Sequence, residues 1–187
     1  MFWLLEGGRL ESGRLSKPRE IAMIYIALGA NLPSAAGPPE KGLHAALDVL
    51  SKAGVEIAAR SAFYRSPAWP NPSDPPFVNA VARITTLLCP RDLLYLLHAV
   101  ETSFGRRRSA DPNHKNAPRR LDLDLIDYNG LVQLGPPTLP HPRAAGRSFV
   151  LVPLHQIAQD WRHPESGASI DDLIAALGAE AEVPQVL

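Results

Sequence analysis

Apolar and polar residues alternate along this chain with two periods, and each change of period marks an element. Ile24-Tyr25-Ile26-Ala27-Leu28 is a continuous apolar run that stops at Gly29, the pattern of a short buried strand. From Pro39 to Ala53, Leu43, Leu47 and Leu50 fall at helical spacing, with Gly54 as the stop signal. Val55 to Arg65 is rich in strand formers, and Phe77 to Leu87 alternates. Pro90 to Phe104 predicts an amphipathic helix closed by Gly105. Leu121, Leu123 and Leu125 then alternate with Asp122 and Asp124 up to Asn129-Gly130, which reads as a strand entering a hairpin. A helix across 144–158 follows, then a short one at 169–177 with Ser169 as cap and Asp171-Asp172 in its first turn.

The element order is β-α-β-β-α-β with additions at the C-terminal end. That order predicts an α+β chain of the split βαβ, ferredoxin-like kind: an antiparallel sheet with helices on one face and extra C-terminal elements. The prolines cluster in connections, at 33–39, 67–76 and 136–142, and leave the periodic segments intact.

Length and charge narrow the classes. The 187 residues, 45% hydrophobic, suffice for one compact domain with a real core. Lys and Arg (19) balance Asp and Glu (19), which argues against a general nucleic-acid binder resting on a basic surface. No apolar run reaches membrane-span length. Cys89 cannot form an internal disulfide and reads as small apolar filler in a protein of the reducing cytoplasm. Residues 1–22 lack period; their opening apolar run ends at Glu6 without a signal-peptide layout. They read as a flexible extension before a single domain over 23–187, and nothing in the pattern demands an oligomer.

The unusual chemistry sits in RRLDLDLIDYNG (119–130). Residues i and i+2 of a strand share a face, so both carboxylates stand side by side, about 7 Å apart. Such like charges repel, and a divalent cation relieves the repulsion. The preceding loop carries Arg106, Arg107, Arg108, Lys115, Arg119 and Arg120 against Asp111. Guanidinium forks match phosphate oxygens, and Mg²⁺ favours one or two carboxylates plus waters and substrate phosphates. Together these indicate phosphoryl or nucleotidyl transfer. Glu101 falls on the apolar stripe formed by Leu94, Leu97 and Phe104, either at its edge or drawn in toward a polar site. There is no GxxxxGK[ST], no GxGxxG after a strand, no GxSxG and no HExxH, and the six histidines show no zinc spacing.

With these residues in place, the chain resembles the 6-hydroxymethyl-7,8-dihydropterin pyrophosphokinases of folate biosynthesis over about residues 24 to 163. The resemblance rests on YIALGANL (25–32), SAFYRSPAW (61–69), PFVNAV (76–81), VETSFGRRR (100–108), KNAPRRLDLDLI (115–126) and LPHPRAAGRSFVLVPL (139–154). It implies transfer of the pyrophosphoryl group of ATP to the pterin hydroxymethyl oxygen, releasing AMP, with small-molecule substrates only; the lone cysteine suits the cytoplasm, and a monomer is expected because no interface is demanded. It further implies that Asp122 and Asp124 hold two Mg²⁺ against the triphosphate, and that Arg106 and Arg119 bind phosphate oxygens and serve catalysis. Glu101, Arg108, Leu125, Thr138, His141 and Arg147 match nucleotide positions. Phe77 and Phe149 match the residues that sandwich the pterin, Asn79 the residue that reads its edge, and Gly29, Ser66, Pro67 and Trp69 the wall.

Two departures stand out. Asn116 occupies the place where some relatives carry a lid Trp, and Pro142 the place of a Tyr that follows the His in others. The alternatives are a nucleotidyltransferase or cyclase that splits off pyrophosphate, and a non-catalytic RNA platform. An acidic strand disfavours the latter, because such platforms need aromatic rather than carboxylate side chains on the central strands.

Overall fold

The computed structural model describes residues 23–69, 71–106, 117–178 and 183–187. Strand β1 (Ile24–Ala30) lies between β4 (Phe77–Thr85) and β5 (Asp122–Tyr128), antiparallel to both. On the far side of β4, β2 (Glu56–Arg60) and β3 (Tyr64–Ser66) pair with successive stretches of it, and β6 (Gln185–Val186) pairs with β3. The order is β5-β1-β4-β3-β6, with β2 also on β4.

Both faces of β1 are buried, as its unbroken apolar run requires. Ile24, Ile26, Leu28 and Ala30 enter one cluster with Leu43, Ala46, Leu47 and Leu50 of α1 (Pro39–Lys52) and Leu93, Leu97 and Val100 of α2 (Pro90–Ser103). Tyr25 enters a second cluster with Val81, Ile126 and residues of α3 (Ser148–Ile157) and α4 (Ile170–Ala176), including Val150, Leu151, Leu154 and Ile170. The two helices of the ferredoxin-like repeat thus share one face, as expected. The C-terminal helices take the other, so helices do not lie on one face alone. The sheet's second apolar row would otherwise face water.

Several boundaries differ from the sequence reading for visible reasons. The run expected over 55–65 is broken at Ser61. The Val81 amide is bonded there by the Ser61 hydroxyl at 3.0 Å, while the Ser61 amide reaches Val81 carbonyl at 2.9 Å. The strand expected to reach Leu87 ends at Thr85. Asn129 and Gly130 do make a turn, both with positive φ (53° and 71°), but among the described residues no strand returns along β5. The turn instead docks on the start of β1, where Met23 amide donates to Asn129 Oδ1 at 2.8 Å. The helix expected across 144–158 begins as a 3₁₀ turn, Ala144–Gly146, before α3. Ser169 caps α4 in a reciprocal box with Asp172, as its sequence predicts. Cys89 is exposed at the N-cap of α2, so it is not core filler. Residues 1–22 lie outside the described residues. No described helix is long and apolar enough to cross a membrane.

Candidate active site

The end of α2 delivers the first functional group. Gly105 adopts φ +87°, a conformation costly for residues with a Cβ. With it, Gly105 amide bonds Thr102 carbonyl at 2.9 Å and Arg106 amide bonds Glu101 carbonyl at 3.0 Å, the Schellman closure. That turn folds the Arg106 guanidinium back onto the helix it has just left. Its Nη1 contacts Glu101 Oε1 and Asp122 Oδ1 together. Glu101 is 1% exposed, and its Oε1 also accepts the Leu123 amide at 2.8 Å. Glu101 is therefore drawn inward, where it ties α2 to β5.

Asp122 receives a second cation, Arg119 Nη1 on Oδ2 at 2.9 Å. Burial alone would raise this carboxyl's pKa; Arg119 and Arg106 outweigh it and hold it below the ordinary value. Two residues along, Asp124 faces the same way and meets a different pair, Arg147 Nη1 at 3.6 Å and His141 Nε2 at 3.8 Å. Burial, with Arg147 and Arg143, outweighs Asp124 and lowers the His141 pKa. The Arg143 amide donates to His141 Nδ1 at 3.2 Å, so the neutral ring carries its proton on Nε2, toward Asp124.

The donor set fits a hard divalent cation that brings most of its own ligands. Asp122 and Asp124 are both partly exposed, at 24% and 34% of their side chains, and offer oxygen only. Among the described residues no group of three or more His, Cys, Asp or Glu side chains could cage a metal. Waters and phosphates would have to complete the shell, the habit of Mg²⁺.

Strand register carries the site across the sheet. Asp122 is opposite Gly29, Gly29 opposite Asn79, and Asn79 opposite Tyr64. Asn79 is buried and donates through Nδ2 to Ser66 Oγ at 2.9 Å, which turns its Oδ1 toward Gly29. A Cβ on Gly29 would stand 3.3 Å from that oxygen and 3.9 Å from the Phe77 ring, so glycine keeps the carbonyl uncovered. Phe149 packs partly buried against the second cluster, with Arg147 Cζ 5.4 Å from its ring centre.

Other expected residues sit apart from this constellation. Leu125 is 3% exposed among the residues under α1 and α2, on the face opposite the carboxylates, so its side chain is withheld from the site. Trp69 is 76% exposed and Pro67 is exposed, and between them Ala68 is buried. Thr138 is exposed on the segment between the Gln133–Leu139 bridge residues. Arg108, Asn116 and most of the basic loop lie outside the described residues.

One buried residue at the site was missed. Asn31 accepts the Arg119 amide on Oδ1 at 2.7 Å and donates through Nδ2 to Pro75 carbonyl at 3.0 Å. Its own amide bonds Arg119 carbonyl at 3.0 Å. It joins the arginine segment to the loop entering β4. An Asn directly after a buried strand was the available signal, and it reads equally well as an ordinary turn residue.

Comparison with known proteins bears on the family and on the fold. Residues 25–159 match the family model described as 7,8-dihydro-6-hydroxymethylpterin-pyrophosphokinase. A Synechocystis protein named 2-amino-4-hydroxy-6-hydroxymethyldihydropteridine pyrophosphokinase is 38% identical, the match covering 89% of this chain and 82% of that protein. A Haemophilus influenzae protein of the same name is 40% identical over 76% of this chain and 85% of its own length. The Plasmodium falciparum HPPK-DHPS crystal structure has the same fold, with a TM-score of 0.62 at 13% identity over 86% of this chain. This chain spans only 42% of that longer one.

Proposed function

The chain belongs to the 7,8-dihydro-6-hydroxymethylpterin-pyrophosphokinase family, and from that membership we propose how its residues divide the work of moving a pyrophosphoryl group from ATP to the pterin hydroxymethyl oxygen. Family activity is pyrophosphoryl transfer in folate synthesis. The division of labour rests on one observation: two carboxylates on one face, each beside its own cations, in register with a polar reading edge.

Asp122 and Asp124 would hold Mg²⁺, as two ions. When bound there, the metal supplies charge neutralisation and Lewis-acid polarisation of the phosphates. The chain's own contribution is positioning and charge. Arg106 and Arg119, both paired with Asp122, would be the groups that reach the phosphate oxygens, with that carboxylate left to hold the metal. Guanidinium groups fixed at that point meet the charge that grows as the pyrophosphoryl group is attacked. Arg147 and His141 contact the nucleotide from the Asp124 side, with Arg108 and Thr138 as further contacts. Glu101 acts through Arg106, because burial keeps it from the nucleotide itself.

The pterin lies over Gly29, between Phe77 and Phe149. Asn79 Oδ1, aimed over Gly29, accepts from the ring's amide edge, while Ser66 fixes which way the carboxamide faces. Pro67 and Trp69 belong to the loop beside that pocket and would wall it only by moving inward.

The test is a reaction of the protein with Mg²⁺, ATP and 6-hydroxymethyl-7,8-dihydropterin. AMP and pterin diphosphate should form in equal amounts without free pyrophosphate. Release of pyrophosphate from ATP would indicate nucleotidyl transfer instead.

A further inference from the structure

The C-terminal strand lies far in sequence from every residue placed at the site, yet it borders the strand that sets the pterin edge. β6 pairs with β3 through Arg65↔Gln185 and Tyr64↔Val186, and Leu187 amide extends the ladder to Phe63 carbonyl at 2.9 Å. β3 is only three residues long, Tyr64–Ser66. Without β6 it would be a sheet edge, secured on one side by β4 and below by Gln156, whose Oε1 accepts Tyr64 Oη at 3.2 Å. Short edge strands fray readily, because half their backbone groups face water. Ser66 is the last residue of β3, and its hydroxyl holds the Asn79 carboxamide.

We propose that β6 is a positioning element for pterin recognition: by pairing with β3 it holds Ser66 where it orients Asn79. The proposal rests on the reading of Asn79 as the pterin-edge partner. Among the described residues, β6 pairs with β3 alone, at the end of the sheet order opposite β5. Asp122, Asp124, Arg106, Arg119 and Arg147 lie on β5, after α2 or before α3. Loss of β6 therefore separates the two substrates. Because Gln185, Val186 and Leu187 are exposed, their removal leaves both apolar clusters intact.

The experiment compares the full chain with a chain lacking residues 185–187, which keeps the buried Pro184, and with Gln185→Pro, which removes one backbone donor from β6. Calorimetry reads binding of 6-hydroxymethyl-7,8-dihydropterin in the presence of a non-hydrolysable ATP analogue, and binding of that analogue with Mg²⁺ alone. The dissociation constant for pterin should rise about fivefold, the scale of one lost neutral hydrogen bond, while that for the nucleotide stays within error. Ser66→Ala should cause a similar loss, and combining it with the truncation should add little more. An unchanged pterin constant, equal weakening of both ligands, or full additivity with Ser66→Ala would overturn the proposal. Asn79→Ala is the control for its premise: if that change leaves pterin affinity intact, the reading of the pocket fails, whatever the tail does.

Discussion

Glu101 and Asp122 are bridged by a single nitrogen, Arg106 Nη1. One carboxylate is buried at the end of α2 and the other opens to the site, so the bridge links the hydrophobic core to the reacting end. Two substitutions separate the two jobs of Glu101. Glu101→Gln keeps an oxygen for the Leu123 amide but loses the charge on Arg106. It should lower kcat about tenfold with little change in melting temperature. Glu101→Ala also orphans the buried Leu123 amide and should cost about 1–3 kcal/mol of stability. Steady-state kinetics and thermal melts on both variants check this.

Arg106 and Arg119 occupy Asp122 where a cation is expected. Mg²⁺ binding at that carboxylate without nucleotide would have to displace them. Arg106→Gln should therefore tighten Mn²⁺ binding measured without nucleotide, about threefold given the partial exposure of the pair. The same variant should weaken binding of the nucleotide analogue. Mn²⁺ affinity that falls in Arg106→Gln without nucleotide would show that the arginine does not compete for the carboxylate.

The proposed pterin edge would be set by space as well as by polarity. Asn79→Ala should weaken pterin binding at least about tenfold, the cost of an unpaired buried polar edge, and leave the nucleotide unaffected. Gly29→Ala places a methyl 3.3 Å from Asn79 Oδ1 and should also raise the pterin dissociation constant selectively. Titration calorimetry with each ligand separates these outcomes from general damage.

Asp127 offers a pH test away from the reaction. It is buried, and its carboxylate accepts Trp161 Nε1 and Gly130 amide, both at 2.8 Å. Burial raises its pKa above the ordinary 3.8, despite hydrogen bonds from Trp161, Gly130 and Tyr128 and the charge of His163; Tyr25 lies against it from β1. The native state then binds this proton more tightly than the unfolded chain. Its stabilising contribution is complete below 3.8 and declines as pH rises through the native value. The carboxamide of an Asp127→Asn variant does not titrate, so the stability of the parent relative to that variant should fall with pH over that window and then level off. Urea unfolding of both proteins from pH about 3 to about 7 measures it.

Much of this was legible in the chain. Period-two leucines placed Asp122 and Asp124 on one face, whereas the off-pattern Glu101 left edge and inward positions open until its burial decided between them. What stayed hidden depended on partners distant in sequence. The Leu125 side chain lies in the core, as its place in the alternation allows, although the resemblance matches that position to the nucleotide. Strand β5 carries a bulge at Ile126, opposite the Tyr25/Ile26 step, that turns Ile126 and Asp127 toward the same cluster; no local propensity encodes it. The Asn129-Gly130 signal was right about the turn and wrong about the hairpin, because a turn does not determine where its outgoing arm pairs. Asn31 and β6 matter only through bonds to segments far along the chain.

Counting bound ions goes straight to the acid pair. With a non-hydrolysable ATP analogue and the pterin present, electron paramagnetic resonance should find about two Mn²⁺ per parent chain. Asp122→Asn and Asp124→Asn, still folded by circular dichroism, should each hold fewer and lose at least about a hundredfold in turnover. Two ions retained in both variants at normal turnover would contradict the assignment.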